Sequence, residues 1–172
     1  MRKIRYGVAM SVDGYIAGPN GEADWISIDS EVDFAAIWAQ FDTLLMGRRT
    51  YEAARKRLGE AAFAGITTIV FSRTMRQQDH PQVTVVSELN PDWVRALQAR
   101  SGKDIWLMGG GELFRSFLDS GCVDAVEVSV IPVLLGSGVP LLAPPYTPAT
   151  LRLVSHEVYR SGRVSLAYDV QR

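Results

Sequence analysis

The stretch Asp104–Leu118, DIWLMGGGELFRSFL, constrains the fold more than any other part of the chain. Ile105 to Met108 are four apolar residues with no polar alternation, the pattern of a strand covered on both faces in the middle of a largely parallel sheet. Three glycines follow, and then Leu113, Phe114, Phe117 and Leu118 recur at i, i+1, i+4 and i+5, as in a helix with one apolar face. The order is strand, glycine turn, helix start. Such a turn lets a ligand reach the backbone with no Cβ in the way, and the free N–H groups and positive helix dipole favour phosphate there. The competing reading is a tight connection that needs positive φ at one or two glycines. Three in succession at the carboxyl end of a buried strand favour a phosphate or cofactor site.

The rest of the chain extends this theme. Ile4 to Val12 reads as a central strand that ends in the turn pair Asp13-Gly14. The long loop that follows, to Trp25, keeps Tyr15, Ile16, Ala17 and Trp25, so it reads as a lid or pocket wall. Ser30, with Asp33 three residues on, resembles a capping box, and Phe34, Ile37, Trp38 and Phe41 supply a helical stripe. Thr43 to Met46 is a second strand, Gly47 a turn, and Arg48, Arg49 and Thr50 open a helix to Leu58. Two arginines oppose the dipole at a helix start. Either a bound anion resolves the conflict, or the arginines are solvated and tied to Glu52 or Glu60. Thr67 to Phe71 is a strand ending in Ser72-Arg73-Thr74, Gln82 to Val86 a short strand, and Asn90-Pro91-Asp92 a helix start running towards Gly102. Ala125 to Leu135 is a strand made irregular by Pro132, and Gly136 to Pro148 reads as a loop. Leu151–Tyr159 and Val164–Val170 form an antiparallel hairpin around Ser161-Gly162. The expectation is a single α/β domain with a mixed, mostly parallel sheet and an antiparallel finish.

Composition excludes several classes. A chain of 172 residues with 47% apolar and 22% charged content supports one core, and a net charge of −1 without charge blocks gives no footprint for nucleic acid or an acidic membrane. No apolar run is long enough to span a bilayer, and Ser11 and Asp13 break the N-terminal apolar stretch, so no signal peptide is read and the cytoplasm is expected. Cys122 is the only cysteine and His80 and His156 lie far apart, so no metal site is expected.

Four ordered motifs carry a resemblance. SVDGYIAG with Ala9 before it, DTLLMGRRTYE, Ser72-Arg73 after the next strand, and the Gly109–Gly111 turn resemble the dihydrofolate reductase superfamily. With the late VIPVLLGSGVPLL, they are most similar to stand-alone relatives of the reductase domain of the riboflavin-biosynthesis deaminase/reductase. The H-x-E and P-C-x-x-C zinc ligands of the deaminase half are absent from this sequence.

The resemblance implies a dihydrofolate-reductase-like sheet flanked by helices, a bound NADPH and hydride transfer to a pyrimidine, pterin or phosphoribosylamino-uracil-like molecule. It also implies a cis peptide between Gly109 and Gly110. Carried over residue by residue, it places the cofactor against Ala9 and Ala17, against Gly47, Arg48, Arg49 and Thr50, and against Ser72 and Arg73. Met108, Gly109, Gly110, Gly111, Glu112 and Leu113 complete that set. The substrate is expected near Asp13, Trp25 and Phe34. For the proton, Asp29, Glu31 and Asp33 remain candidates, and matching the family's acid-Phe pair selects Asp33. Two departures stand out, because Gly7 and Met108 occupy positions where the riboflavin-pathway reductases carry lysine and glutamate. The arginines favour NADPH over NADH, since planar guanidinium donors suit a 2′-phosphate. The alternatives are dihydrofolate reductase activity or a non-catalytic nucleotide-binding module. Finally, Val133, Leu134, Leu135, Val139, Leu141 and Leu142, with the terminal hairpin, are more apolar side chains than one sheet edge should expose, so a homodimer is expected.

Overall fold

The unbroken apolar run at Ile105–Met108 lies where its pattern requires. In the computed structural model, which describes residues 1–171, it forms most of β6 (Asp104–Gly109), hydrogen-bonded in parallel to β1 (Ile4–Ser11) on one side and β3 (Phe41–Gly47) on the other. The sheet continues beyond β3 through β4 (Thr67–Phe71) and β5 (Thr84–Val86), both parallel. Beyond β1 come β7 (Ala125–Ile131), parallel, then β10 (Val164–Val170) and β9 (Leu151–Val158), each antiparallel to its neighbour. The eight strands are thus mixed and mostly parallel, and the antiparallel finish is as expected. A second, two-stranded sheet pairs β2 (Tyr15–Ala17) with β8 (Val139–Pro140), where the sequence predicts loop in both stretches.

Alternation along the strands sends side chains to two layers. Ile4 and Tyr6 of β1, Leu45 of β3, Ile105 and Leu107 of β6 and Val126 and Val128 of β7 pack under α3 (Pro91–Ala99) and α4 (Gly111–Asp119) through Val94, Leu97, Phe114 and Phe117. Leu44, Met46 and Val70 face the other way, against Tyr51 of α2 (Arg48–Leu58) and Trp38 of α1 (Phe34–Trp38). Leu107 has no exposed surface, so truncation to Ala costs about 2–5 kcal/mol. α3 begins as its sequence dictates, with the Asn90 side chain accepting from Asp92 and Trp93 N–H and Pro91 at the first helical position.

Three expectations change. The helix expected from Ser30 through Phe41 is only Phe34–Trp38, because Asp33 takes the cap and Phe41 is the first residue of β3, opposite Asp104. β7 stops at Ile131, before Pro132, which has no N–H to offer a ladder. Of the apolar residues from Val133 to Leu142, only Leu134 is largely exposed, at 75%; Leu141 and Leu142 pack on the chain's own core. Outward-facing apolar surface lies instead on β9, whose eight residues are all exposed. The Gly109–Gly110 and Pro144–Pro145 peptides are cis, the first as the resemblance implies. Among the described residues, no helix is long and apolar enough to cross a membrane.

Candidate active site

Parallel strands deliver their carboxyl ends to one edge, and five loops meet there: those after Ser11, Gly47, Phe71, Gly109 and Ile131. Two of these loops are helix starts. α2 and α4 both have a glycine at the N-cap, Gly47 and Gly110, and neither has a side chain capping its first turn. By contrast α3 is capped by Asn90 and α1 by Asp33, whose carboxylate accepts from Ala36 N–H at 2.9 Å. β3 and β6 are direct neighbours, with Met46 opposite Gly109, so the two uncapped starts lie side by side. A Cβ added at Gly47 or Gly110 would meet nothing nearer than 3.7 Å, so the space over this seam is open. Gly109 sits at φ 98° with Tyr6 beneath it, a conformation and a closeness that a side chain would not tolerate. Gly111 is enclosed by the 140–143 segment, where a Cβ would fall 2.5 Å from the Pro140 carbonyl.

Arginines surround the seam unequally. Arg48 is engaged, donating to Glu52 at 2.7 Å and to the Thr74 hydroxyl at 2.9 Å. That tie to Glu52 matches one of the two readings of the sequence. Arg49 and Arg73 are exposed, and among the described residues neither forms an ion pair or side-chain hydrogen bond. Ser72 turns its hydroxyl inward to accept from the Thr74 and Met75 N–H groups, which holds the turn carrying Arg73. A guanidinium left without a carboxylate beside two open helix starts suits a polyanion.

The face of the sheet behind this edge, over the middle of β1, is built differently. Trp106 lies across Gly7: its indole N–H donates to the Gly7 carbonyl at 2.9 Å, and a Cβ on Gly7 would fall 2.8 Å from that nitrogen. Gly7 is therefore required by Trp106, and a lysine there would need the indole to move. Trp38 meets Trp106 edge to face with centroids 5.0 Å apart, Phe41 lies 5.1 Å from it, and the Arg5 guanidinium stands over Phe41 while forking onto Glu127. Met108 packs at the margin of the same layer.

The loop from Asp13 to Asp33 walls this face and is tied down at several points. Asp13 accepts from the Ser11 hydroxyl at 2.6 Å and from the N–H groups of Leu135 and Gly136, which hold its carboxyl down at about 2. Arg57 of α2 donates to the carbonyls of Ala23 and Ile26 at 2.9 and 2.8 Å. On the far side Asp29 accepts from the Ser161 hydroxyl at 2.5 Å, which lowers its pKa, and Glu31 accepts from Arg160 N–H at 2.9 Å. Ala17 is half-buried in β2, Trp25 donates to Glu22 within the loop, and Phe34 is 41% exposed at the start of α1. Ala9 lies on β1 opposite Ser129. Glu112 and Leu113 form the first turn of α4 with Gly111, and Thr50 stands 3.7 Å from where a Gly110 Cβ would be. Trp106 and Arg57 carry no signal of a role in the sequence, and Trp38 and Ser161 read there only as a helical stripe residue and a hairpin turn. Trp106 stood inside the apolar run, whose lack of alternation hid which face it served.

Fold and edge together define a dihydrofolate-reductase-like α/β protein. Within that class the chain belongs to the RibD C-terminal domain family, whose model matches residues 2–165. It is 32% identical over 179 residues to the Bacillus subtilis protein YyaP, covering 97% of this chain and 94% of that one. A solved structure from Shewanella sp. PV-4, named for riboflavin biosynthesis, superposes over all of both chains with a TM-score of 0.83 at 28% identity. The Thermotoga maritima diaminohydroxyphosphoribosylaminopyrimidine deaminase/5-amino-6-(5-phosphoribosylamino)uracil reductase shares the fold, with a TM-score of 0.71 at 19% identity. That match covers 99% of this chain and 57% of that one.

Proposed function

We propose that the chain is an NADPH-dependent reductase of a small, planar nitrogen heterocycle of the pyrimidine or pterin kind. One observation carries the reading: two neighbouring helices open at uncapped glycines beneath free space, flanked by guanidinium groups with no carboxylate of their own. The residues fit a dinucleotide phosphate group in charge and shape. NADPH supplies the hydride. Gly47 and Gly110 leave room for the backbone N–H groups of α2 and α4 to face the pyrophosphate, and Arg73 with Arg49 meets the 2′-phosphate. The heterocycle is held against Ala9, beside the Trp106 and Trp38 rings that cover Gly7. Asp33 delivers the proton, since one of its oxygens caps α1 and its carboxylate is exposed to water at the loop's end.

Trp106 over Gly7 sharpens the substrate. The polar contact that a lysine at that position would offer the substrate has no counterpart, and a flat aromatic surface replaces it. This favours the free heterocycle over the phosphoribosylamino-uracil of the riboflavin pathway. The test is NADPH oxidation over a panel of pterins, dihydrofolate, aminopyrimidines and the phosphoribosylamino-uracil, followed at 340 nm. Turnover of an unphosphorylated heterocycle supports the reading, and cofactor binding without turnover of any member supports a nucleotide-binding module instead. Arg73→Ala is expected to weaken NADPH by about ten- to a hundredfold and leave NADH nearly unchanged, from a charge-assisted bond of about 1.5–3 kcal/mol. Equal affinity of the wild type for both cofactors removes the arginines from the site.

A further inference from the structure

Arg163, 4% exposed, is the most deeply buried charged side chain among the described residues. Arg2, at 8%, spends its guanidinium on Asp42, the Thr43 hydroxyl and the Lys103 carbonyl. Arg163 forms no ion pair among the described residues, and its one side-chain bond runs from Nη2 to the Ser27 carbonyl at 3.4 Å, long for such a bond. Asp29, close enough to feel its charge, is engaged instead by the Ser161 hydroxyl and the Glu31 N–H. A desolvated cation with so few partners is costly to keep. No fully buried side-chain nitrogen or oxygen among the described residues lacks a hydrogen bond, so the unbonded Nε and Nη1 of Arg163 still touch open space.

Strand alternation decides which space this is. Ala9 of β1, Ser129 of β7 and Ser165 of β10 lie opposite one another in a row across three strands. All three keep part of their surface open, whereas Val126 and Val128, on the other face of β7, are buried. The Ser129 and Ser165 hydroxyls stand 3.0 Å apart, and Glu157 of β9, opposite Ser165, accepts from the Tyr159 hydroxyl at 2.7 Å. Arg163 stands two residues before Ser165, so alternation returns its side chain to this same face, at the carboxyl edge and under the loop that carries Ser27. β10 is two strands from β1, roughly 10 Å, which a substituent on a ring lying against Ala9 can span.

We propose that Arg163 binds a carboxylate carried on the heterocycle ring, with the Ser129 and Ser165 hydroxyls between the two. This rests on the heterocycle lying against Ala9, as in the function proposed above. Binding supplies the partner that the buried guanidinium lacks, since its planar fork matches a carboxylate and the Ser27 carbonyl takes only one of its donors. The surrounding charge selects a monoanion. Asp29, Glu31 and Glu157 stand around the hairpin tip, and Arg160 is 94% exposed at its side chain and already faces Glu31. One unpaired guanidinium among three carboxylates accommodates a single negative charge and disfavours a phosphate dianion.

Calorimetric titration with pterin-6-carboxylate and with neutral 6-methylpterin tests this without turnover. The wild type is expected to bind the carboxylate about ten- to a hundredfold more tightly, the value of one charge-assisted bond. Arg163→Met, which keeps the length and removes the charge, is expected to erase that preference, leave the affinity for 6-methylpterin unchanged, and not lower the midpoint of thermal unfolding. If Arg163→Met does not fold, Arg163→Gln, which can still donate to the Ser27 carbonyl, must erase the preference instead. Equal affinity of the wild type for both pterins overturns the proposal and leaves the reductase reading standing. A preference that survives removal of the charge, or tighter binding of the phosphoribosylamino-uracil than of the carboxylate, overturns it too. Failure of every heterocycle to bind removes both the proposal and the reading beneath it.

Discussion

The half of the carboxyl edge over β3, β4 and β6 is made of backbone and unpaired guanidinium groups. The half behind it, on the sheet face over β1, is roofed by aromatic rings and walled by a loop that side chains tie down from both sides. Glycine N-caps and a free arginine are local features, fixed within a few residues of sequence. The ties are long-range: Asp29 and Ser161 are 132 residues apart, and Trp106 reaches Gly7 across 99. A local construction can hold the same group in many relatives, whereas a wall assembled from distant segments is free to differ with the molecule it encloses.

Exchanging single glycines should break the first half in two distinguishable ways. Gly111→Ala drives a Cβ to 2.5 Å from the Pro140 carbonyl, which rigid backbone must yield to, so it is expected to cost about 1–3 kcal/mol of folding stability by chemical denaturation. Gly110→Ala places its Cβ in open space, 3.7 Å from the Thr50 hydroxyl. Its stability should stay within about 0.5 kcal/mol of wild type while NADPH binding falls by tenfold or more, because the methyl occupies the cofactor's approach. Equal losses of stability in both variants would show that the seam is merely a tight connection.

The arginines separate next. Arg48 already satisfies Glu52 and Thr74, and its exposed i,i+4 pair contributes little, about 0.3–0.5 kcal/mol. Arg49 has no such commitment. Arg49→Ala is therefore expected to weaken NADPH severalfold more than Arg48→Ala in parallel titrations, and the reverse order would place the phosphate on the other side of α2.

These contrasts also mark how far the sequence could be read. The strand, glycine turn and helix of Asp104–Leu118 were legible because burial on both faces, Gly-Gly-Gly and an apolar helical stripe are each local signals that agree. α1 was overextended because Phe41 continues a helical stripe while belonging to β3, and only the pairing opposite Asp104 decides between them. The β2–β8 pair was illegible, since two short segments beside glycines and Pro140 carry no alternation. Gly7 was recognised as a departure, but its reason was a residue on another strand.

On the other half, Arg57→Ala should leave NADPH affinity unchanged and loosen the wall. It removes two exposed donors to Ala23 and Ile26, so limited proteolysis within residues 20–28 is expected to quicken, with the heterocycle KM rising a few-fold and kcat less affected. A change confined to NADPH binding would unite the two halves into one.

The smallest effect is the most exposed one. Asp13 joins the first loop to the segment after β7 by accepting from Leu135 and Gly136 N–H, and the Ser11 hydroxyl adds the largest share of the pull on its carboxyl. Folding holds this carboxyl at about 2, below the ordinary aspartate value of about 3.9. A depressed pKa favours the folded state above the unfolded value, so the tie is complete above about pH 4 and is lost as pH falls through about 2. The Leu135 and Gly136 amide resonances are expected to titrate with a midpoint near pH 2, and Asp13→Asn should abolish that titration while leaving NADPH binding intact. A midpoint near 4 would mean that the carboxylate is solvated and that the two loops meet without it. The wall over β1 would then rest on Arg57 and the Asp29–Ser161 pair, and its position over the heterocycle would be set from the α2 side and the hairpin tip alone.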